Sequence, residues 1–128
     1  MAGLIPFIDA SFPKKGYLRQ KSEFTYVHSH GVTCVGKLMV LKVADSLDHK
    51  TRIGVVASKK CHKSAVKRNR ARRLLKESFR LLANRITSPL WIVIIARRKI
   101  VDRRLPDVQQ ELVGLLVDAN AFSIKTNS

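Results

Sequence analysis

The order of apolar and polar positions divides the chain into helical and extended segments. Helices are predicted where apolar side chains recur every three or four residues, at 21–29, 63–84 and 105–119. Strands are predicted where β-branched and apolar residues run together, at 34–44, 52–58 and 91–97. The resulting order is helix, strand, strand, helix, strand, helix. It indicates an α+β fold, in which a small sheet packs against helices.

Local signals set the limits of several elements. Ser22 is a candidate N-cap of the first helix, and Gly31 is a natural residue to follow its end. Gly54 interrupts the second strand, which favours a bulge or the close approach of another backbone. A chain of 128 residues fits one domain. We expect an N-terminal arm at 1–16, a single domain at 17–120 and a C-terminal tail at 121–128.

The predicted helix at 63–84 has one apolar and one cationic side, because successive helical residues turn by about 100° around the axis. Its apolar side contains Ala71, Leu74, Leu75, Ser78 and Leu82. Its opposite side contains Asn69, Arg72, Arg73, Lys76 and Arg80, with Arg68 and Arg70 at the edges. This division predicts that one side packs on the core while the other contacts a polyanion.

The overall charge supports a polyanionic partner. Lys and Arg number 25 against nine Asp and Glu, which gives a formal charge of +16. Folding does not require such an excess, and repulsion between the cations opposes it. RNA, DNA and acidic membranes are the candidate partners. The strongest apolar run, Leu90–Ala96, is far shorter than the roughly 20 residues of a spanning helix, and the N-terminus lacks the cationic start of a secretory signal. We therefore expect a cytoplasmic protein that binds nucleic acid and no membrane.

An ordinary solvated helix face is the alternative interpretation of the cationic side. Such faces usually mix both signs of charge, whereas Glu77 is the one acid between residues 59 and 80. Like charges three or four residues apart destabilise a helix unless an anion lies between them. Guanidinium groups also match the geometry of phosphate oxygens. Nucleic-acid binding is therefore the favoured interpretation.

No catalytic or metal-binding pattern is readable in the sequence. The nine acids are scattered rather than clustered as two-metal nuclease chemistry requires. Cys61 and His62 are adjacent, which is not the spacing of zinc ligands. We interpret Cys34 and Cys61 as structural. We expect that the polypeptide has no catalytic residue, no metal ligand and no cofactor of its own.

Short motifs in and around the cationic helix resemble one protein family. They are Ser58-Lys59-Lys60, Arg68-Asn69-Arg70 and the run from Arg72 to Arg80. Further landmarks follow in the same order, namely Leu18-Arg19, Glu23-Phe24, Arg52-Ile53-Gly54-Val55 and Ile94-Ile95-Ala96-Arg97. Over residues 17–116 the chain resembles the protein subunit of bacterial ribonuclease P.

The resemblance implies a function that the residue pattern alone does not give. The family's protein binds a large catalytic RNA, and the complex removes the 5′ leader from precursor tRNA. The RNA would supply the catalytic site and require the magnesium. The protein would be the accessory subunit, one monomer in the complex. The family fold is an α/β sandwich whose cationic helix enters through a left-handed crossover, an exception to the usual handedness.

The resemblance and the helix pattern together define two sets of site residues. Residues expected to face the catalytic RNA are Lys59, Lys60, Lys63, Arg68, Asn69, Arg70, Arg72, Arg73, Lys76 and Arg80. Residues expected near the single-stranded leader are Phe24, His28, Met39, Lys42 and Arg97. In this second set, His28, Met39 and Lys42 stand where the family often has aromatic residues. The alternatives are core packing for Phe24 and Met39, and a plain surface position for His28 and Arg97.

Other classes of protein remain as alternatives. A ribosomal or general RNA-binding protein would share the charge and the size. A DNA-binding architectural protein would need a helix shaped for the major groove or apolar wedges for the minor groove. A nuclease that acts without RNA is disfavoured by the scattered acids.

Overall fold

The fold is a four-stranded mixed sheet with one helix on one face and two helices on the other. The computed structural model describes residues 16–86 and 88–121. Within them the elements are, in chain order, α1 (Lys21–His30), β1 (Val32–Val35), β2 (Met39–Asp45), β3 (Arg52–Val56), α2 (Ala65–Leu82), β4 (Leu90–Ala96) and α3 (Leu105–Asp118). Short 3₁₀ turns follow α2 and β4, at Ala83–Arg85 and Arg98–Ile100. The predicted α+β class is confirmed.

The strand order places β4 in the middle of the sheet and β3 at one edge. The order is β1-β2-β4-β3. β4 runs antiparallel to β2 and parallel to β3. Since β3 and β4 are parallel neighbours, the connection through α2 is a crossover that lays this helix over the sheet. The left-handed sense of that crossover stays a prediction.

The single strand predicted at 34–44 is a hairpin of two strands, which corrects that prediction. β1 ends at Val35 and β2 begins at Met39. The turn is held from a distant part of the chain, because the Glu111 carboxylate accepts hydrogen bonds from the backbone N–H groups of Lys37 (3.1 Å), Leu38 (2.8 Å) and Met39 (3.1 Å). A carboxylate on α3 therefore fixes the end of the sheet.

Apolar residues form two clusters, one on each face of the sheet. The larger cluster lies under α2 and α3 and includes Leu41, Ile92, Leu75, Phe79 and Leu112, all with 1% exposure or less. The smaller cluster lies under α1 and is built from Leu18, Val27, Ala44, Trp91 and Val93. Ala121 belongs to the larger cluster, so the folded domain extends to it. The predicted arm at 1–16 and the predicted tail at 121–128 lie outside the described residues, apart from Gly16 and Ala121.

Two glycines allow α1 to sit close to the sheet. A Cβ on Gly54 would lie 2.4 Å from the Phe24 ring, so the predicted close approach is that of an aromatic side chain. A Cβ on Gly31 would lie 2.5 Å from the Val27 carbonyl oxygen, which explains glycine at the end of α1. α1 starts one residue before Ser22, after Gln20, whose N–H donates to the Glu23 carboxylate at 2.8 Å. The expected Ser22 cap is therefore corrected to Gln20 and Glu23.

Candidate RNA-binding surface

α2 presents its apolar side to the sheet and its cationic side outward, as the sequence pattern predicts. Its buried residues are Ala71, Leu75, Ser78, Phe79 and Leu82. The helix starts after Ser64, whose hydroxyl accepts a hydrogen bond from the Lys67 N–H. All ten residues that were expected to face RNA lie on α2 or on the segment at 57–64 that leads into it, which we call the crossover segment.

Four of the arginines on α2 bind the protein itself, and we call Arg68, Arg70, Arg72 and Arg80 the tethered arginines. Arg70 donates to the carbonyls of Val101 (2.6 Å) and Arg103 (3.0 Å), which links α2 to the turn before α3. Arg68 donates to the carbonyls of His62 (3.1 Å) and Lys63 (2.8 Å) in the crossover segment.

Of the other two tethered arginines, Arg72 binds the segment that follows β3, and Arg80 binds a residue of α2 itself. Arg72 donates to the Ala57 carbonyl at 3.1 Å and to the Asn69 side chain. Arg80 forms an ion pair with Glu77, and the hydrogen bonds from Arg80 hold the pKa of the Glu77 carboxyl below its usual range. The contacts of Arg68, Arg70 and Arg72 order the crossover and fix its position on the sheet, whereas the Arg80–Glu77 pair lies within α2.

A second group of cations projects away from the protein, and we call Lys59, Lys60, Lys63, Arg73 and Lys76 the outward cations. All five are exposed. Within residues 16–86 and 88–121, none of their charged side-chain groups forms a hydrogen bond or ion pair, and Lys76 alone contacts a ring, with its ammonium 5.3 Å from the centre of Tyr17. Like charges in such proximity favour an external anion.

The face of the sheet under α1 is only partly covered, and it contains three of the predicted leader-binding residues. Phe24 and His28 are four residues apart, so they share one side of α1. Lys42 is paired with Val93 across β2 and β4, which places its side chain on the same face of the sheet as α1. Val56 and Ile95 remain partly exposed there. The result is a shallow surface of apolar, aromatic and cationic groups.

Two other predicted leader-binding residues lie elsewhere. Met39 has no exposed surface and packs in the larger cluster, so its assignment to the leader is corrected to core packing. The Arg97 guanidinium donates to the Gly36 carbonyl at 2.7 Å and lines a groove between the β1–β2 turn and α3. Phe24, His28 and Lys42 do not line that groove. The structure therefore does not bring Arg97 together with the α1 surface.

A polar cluster around Asp48 anchors the end of the sheet beside α1, and the sequence pattern did not indicate it. Partial burial disfavours the Asp48 carboxylate, but hydrogen bonds from Arg52, Ser46, Trp91 and the Lys50 N–H outweigh this and hold its pKa far below the usual range. Tyr26 donates to the Asp45 carbonyl at 2.9 Å and meets the Trp91 ring edge-on. Trp91 thus connects the β2–β3 turn to α1.

Metal ligands, cysteines and membrane spans were the remaining features that the sequence raised. Residues 16–86 and 88–121 contain no group of three or more His, Cys, Asp or Glu side chains that could hold a metal ion. Burial raises the pKa of the Cys61 thiol, against the opposing effect of nearby arginines. No helix in this part of the chain is long and apolar enough to cross a bilayer.

Comparison with known proteins identifies the family. The family model described as Ribonuclease P matches residues 12–120. The chain belongs to the ribonuclease P family. The ribonuclease P protein component of Clostridium botulinum strain Langeland is 35% identical over 111 residues, which cover 86% of this chain and 99% of the relative. That of Thermoanaerobacter strain X514 is 40% identical over 106 residues, covering 83% and 90% of the two chains.

Solved ribonuclease P proteins have the same fold. The Staphylococcus aureus protein matches with a TM-score of 0.75 at 24% identity, covering 84% of this chain and 98% of that one. The Thermotoga maritima protein matches with a TM-score of 0.69 at 25% identity, covering 78% and 94%. Family membership makes the chain a protein component of ribonuclease P, the endoribonuclease that processes the 5′ leader of tRNA precursors.

Proposed function

We propose that this chain binds the catalytic RNA of ribonuclease P through the outward cations and contacts the leader of precursor tRNA through the face under α1. The RNA carries the catalytic site and its magnesium, and the protein adds phosphate contacts and a surface for a single strand. It acts in the cytoplasm as one monomer in the complex, and it contributes no catalytic residue.

The arrangement of α2 supports this proposal most directly. Five exposed cations, whose charged groups have no hydrogen-bonding or ionic partner among the described residues, lie along the crossover and one helix. Arg68, Arg70 and Arg72, by contrast, hold the same segment in a fixed position through carbonyl groups. An ordered cationic surface of this kind suits a folded RNA, because its phosphates occupy fixed positions as well.

The partly covered face under α1 supports the contact with a single strand. Aromatic rings act as stacking platforms for unpaired bases, and cations bind the phosphates between them. Phe24 and Lys42 supply these two kinds of group, and His28 adds a ring that is able to stack. Phe24 also packs against Gly54, so packing and leader contact are compatible roles for this residue.

The decisive experiment is reconstitution. The purified protein is mixed with a bacterial ribonuclease P RNA and precursor tRNA at a magnesium concentration too low for the RNA alone. We expect cleavage of the leader only when the protein and the RNA are both present. Cleavage by the protein without the RNA would overturn the proposal in favour of a protein nuclease. Absence of any stimulation would contradict the proposed subunit role.

A further inference from the structure

Tyr17 occupies a position that neither set of predicted site residues includes. This residue precedes α1 and lies beside the edge strand β3, where it forms an isolated parallel bridge with Ile53. The Leu18 N–H donates to the Ile53 carbonyl at 2.8 Å. The Tyr17 ring is half-buried and packs against the cluster under α2, whereas Phe24 packs against the cluster under α1. Tyr17 therefore lies at the sheet edge where the two faces meet.

A cavity at this edge joins the two proposed RNA-binding surfaces. It has a volume of about 350 Å³, and its lining includes Tyr17, Phe24, Arg19, Val55 and Lys76. The lining thus combines an aromatic residue of the leader surface with an outward cation of α2. A second cavity of about 420 Å³ adjoins Tyr17 on the side of Arg19 and Arg52. Volumes of this size are within the range of pockets for small ligands.

The edge of β3 adds backbone groups that are able to recognise a base. The Ile53 carbonyl points away from β4, toward Leu18. Residues two apart in a strand direct their backbone groups to the same side, so the N–H and C=O of Val55 also point outward. β3 is the edge strand of the sheet, and Val55 has no strand partner on that side among the described residues. An amide edge, an aromatic ring and an ammonium group therefore converge on one cavity.

We propose that this cavity binds one unpaired RNA nucleotide, with its base against the Tyr17 ring and its phosphate beside Lys76. This inference rests on the proposed function and extends it, because it connects the two surfaces around the edge of β3. An unpaired nucleotide of the leader and one of the catalytic RNA share this chemistry. The test below distinguishes the two sources.

The test uses the full chain with the replacements Tyr17→Leu, which removes the ring, and Tyr17→Phe, which keeps it. Two affinities are measured: that of the protein for the catalytic RNA, and that of the holoenzyme for tRNA with and without a leader. We expect Tyr17→Leu to weaken one of them about tenfold, in the range of one lost base stack. Tyr17→Phe should restore the affinity.

The location of the loss identifies the source of the nucleotide. If only the binding of leader-bearing tRNA is weakened, the nucleotide belongs to the leader. If the binding of the protein to the catalytic RNA is weakened, the nucleotide belongs to that RNA. Unchanged affinities in both measurements, at an unchanged unfolding midpoint, would overturn the proposal. Equal losses for Tyr17→Leu and Tyr17→Phe would also overturn it, because the ring would then not be the reason.

A fluorescence measurement covers the case in which Tyr17→Leu does not fold. In Tyr17→Trp, a stacked base should quench the added emission when RNA binds, whereas the buried Trp91 of the parent chain gives the background. Added emission that saturating RNA leaves unchanged would overturn the proposal.

The parent chain must first restore leader cleavage at low magnesium. Failure at that step would contradict the proposed function rather than the role of Tyr17.

Discussion

The tethered arginines and the outward cations lie on the same short segment and yet have different partners. The Arg70 guanidinium donates hydrogen bonds to two carbonyl groups of the protein, whereas Arg73, one turn further along the helix, is exposed. Three of the tethered arginines, Arg68, Arg70 and Arg72, connect α2 to its crossover and to the rest of the fold. The outward cations extend into solvent. Some cations on α2 thus have partners within the protein, so a count of cations on a helix does not give the number left to bind phosphates.

The difference has a physical advantage for binding RNA. A flexible cationic segment would have to be ordered at the moment of binding, at an entropic cost for every side chain it immobilises. Hydrogen bonds from Arg68, Arg70 and Arg72 order the segment before any RNA arrives. The outward cations are then presented in a fixed arrangement. We therefore expect these three arginines to act on affinity only indirectly, by holding the segment in its folded position.

The largest effect is expected from removing three outward cations together. We predict that Lys59→Ala, Lys60→Ala and Arg73→Ala in one chain weaken binding to the catalytic RNA by roughly 3 kcal/mol at low salt, about a hundredfold, because each removes a charged contact to phosphate. Filter binding or calorimetry measures this loss. The matched control removes three exposed cations elsewhere, Lys21, Lys50 and Arg85. A comparable loss in the control would show that net charge, not position, determines binding.

A smaller effect, on folding instead of binding, is expected from Arg70→Ala. It removes two hydrogen bonds from a charged donor to backbone carbonyls, so the free energy of unfolding should fall by about 2 kcal/mol. Urea denaturation followed by circular dichroism measures this change. Arg73→Ala is the control and should stay within about 0.5 kcal/mol of the parent chain. Equal free energies of unfolding for the two variants would contradict the distinction between tethered arginines and outward cations.

Replacing Asp48 measures how much its hydrogen bonds stabilise the end of the sheet beside α1. We predict that Asp48→Asn lowers the free energy of unfolding by about 1 kcal/mol at neutral pH, because the Arg52 and Trp91 hydrogen bonds lose their charged acceptor. The folded-state pKa of Asp48 is lowered, so its contribution is complete above the unfolded carboxyl pKa of about 3.9 and is lost as the pH falls further. Unfolding measured at neutral pH and below pH 4 should therefore show the difference shrinking. A difference independent of pH would refute this explanation.

The smallest effect is expected on the face under α1. Lys42→Ala should weaken binding of leader-bearing tRNA to the holoenzyme about threefold, since one partly exposed cation contributes less than about 1 kcal/mol. The same replacement should leave the binding of tRNA without a leader unchanged. Lys37→Ala, in the β1–β2 turn, is the control. A larger loss of affinity for Lys37→Ala than for Lys42→Ala would indicate that the leader binds in the groove beside α3 and not on the face under α1.

The sequence pattern predicted the three helices, two of the four strands and the two sides of α2, because all of these depend on the spacing of apolar residues. It did not predict the partners of the arginines. The carbonyls that Arg70 contacts lie over 30 residues away, and they meet it only once α3 packs beside α2. The β1–β2 turn was missed for the same reason, since Glu111 holds it from α3.

One error was avoidable from the sequence alone. Met39 and Lys42 are three residues apart in β2, and side chains at an odd separation in a strand point to opposite faces. They were therefore unable to face the same leader, and the buried Met39 confirms this rule. The contact between Trp91 and Asp48 had no such signal, because it depends on how the β2–β3 turn folds back over β4.

The salt dependence of RNA binding tests the distinction between the two groups most directly. The slope of the logarithm of the binding constant against the logarithm of the salt concentration reports how many phosphates the protein neutralises. We predict that Arg73→Ala reduces this slope by about one, while Arg70→Ala lowers stability and keeps the slope of the parent chain. A slope reduced by Arg70→Ala and unchanged by Arg73→Ala would contradict the account.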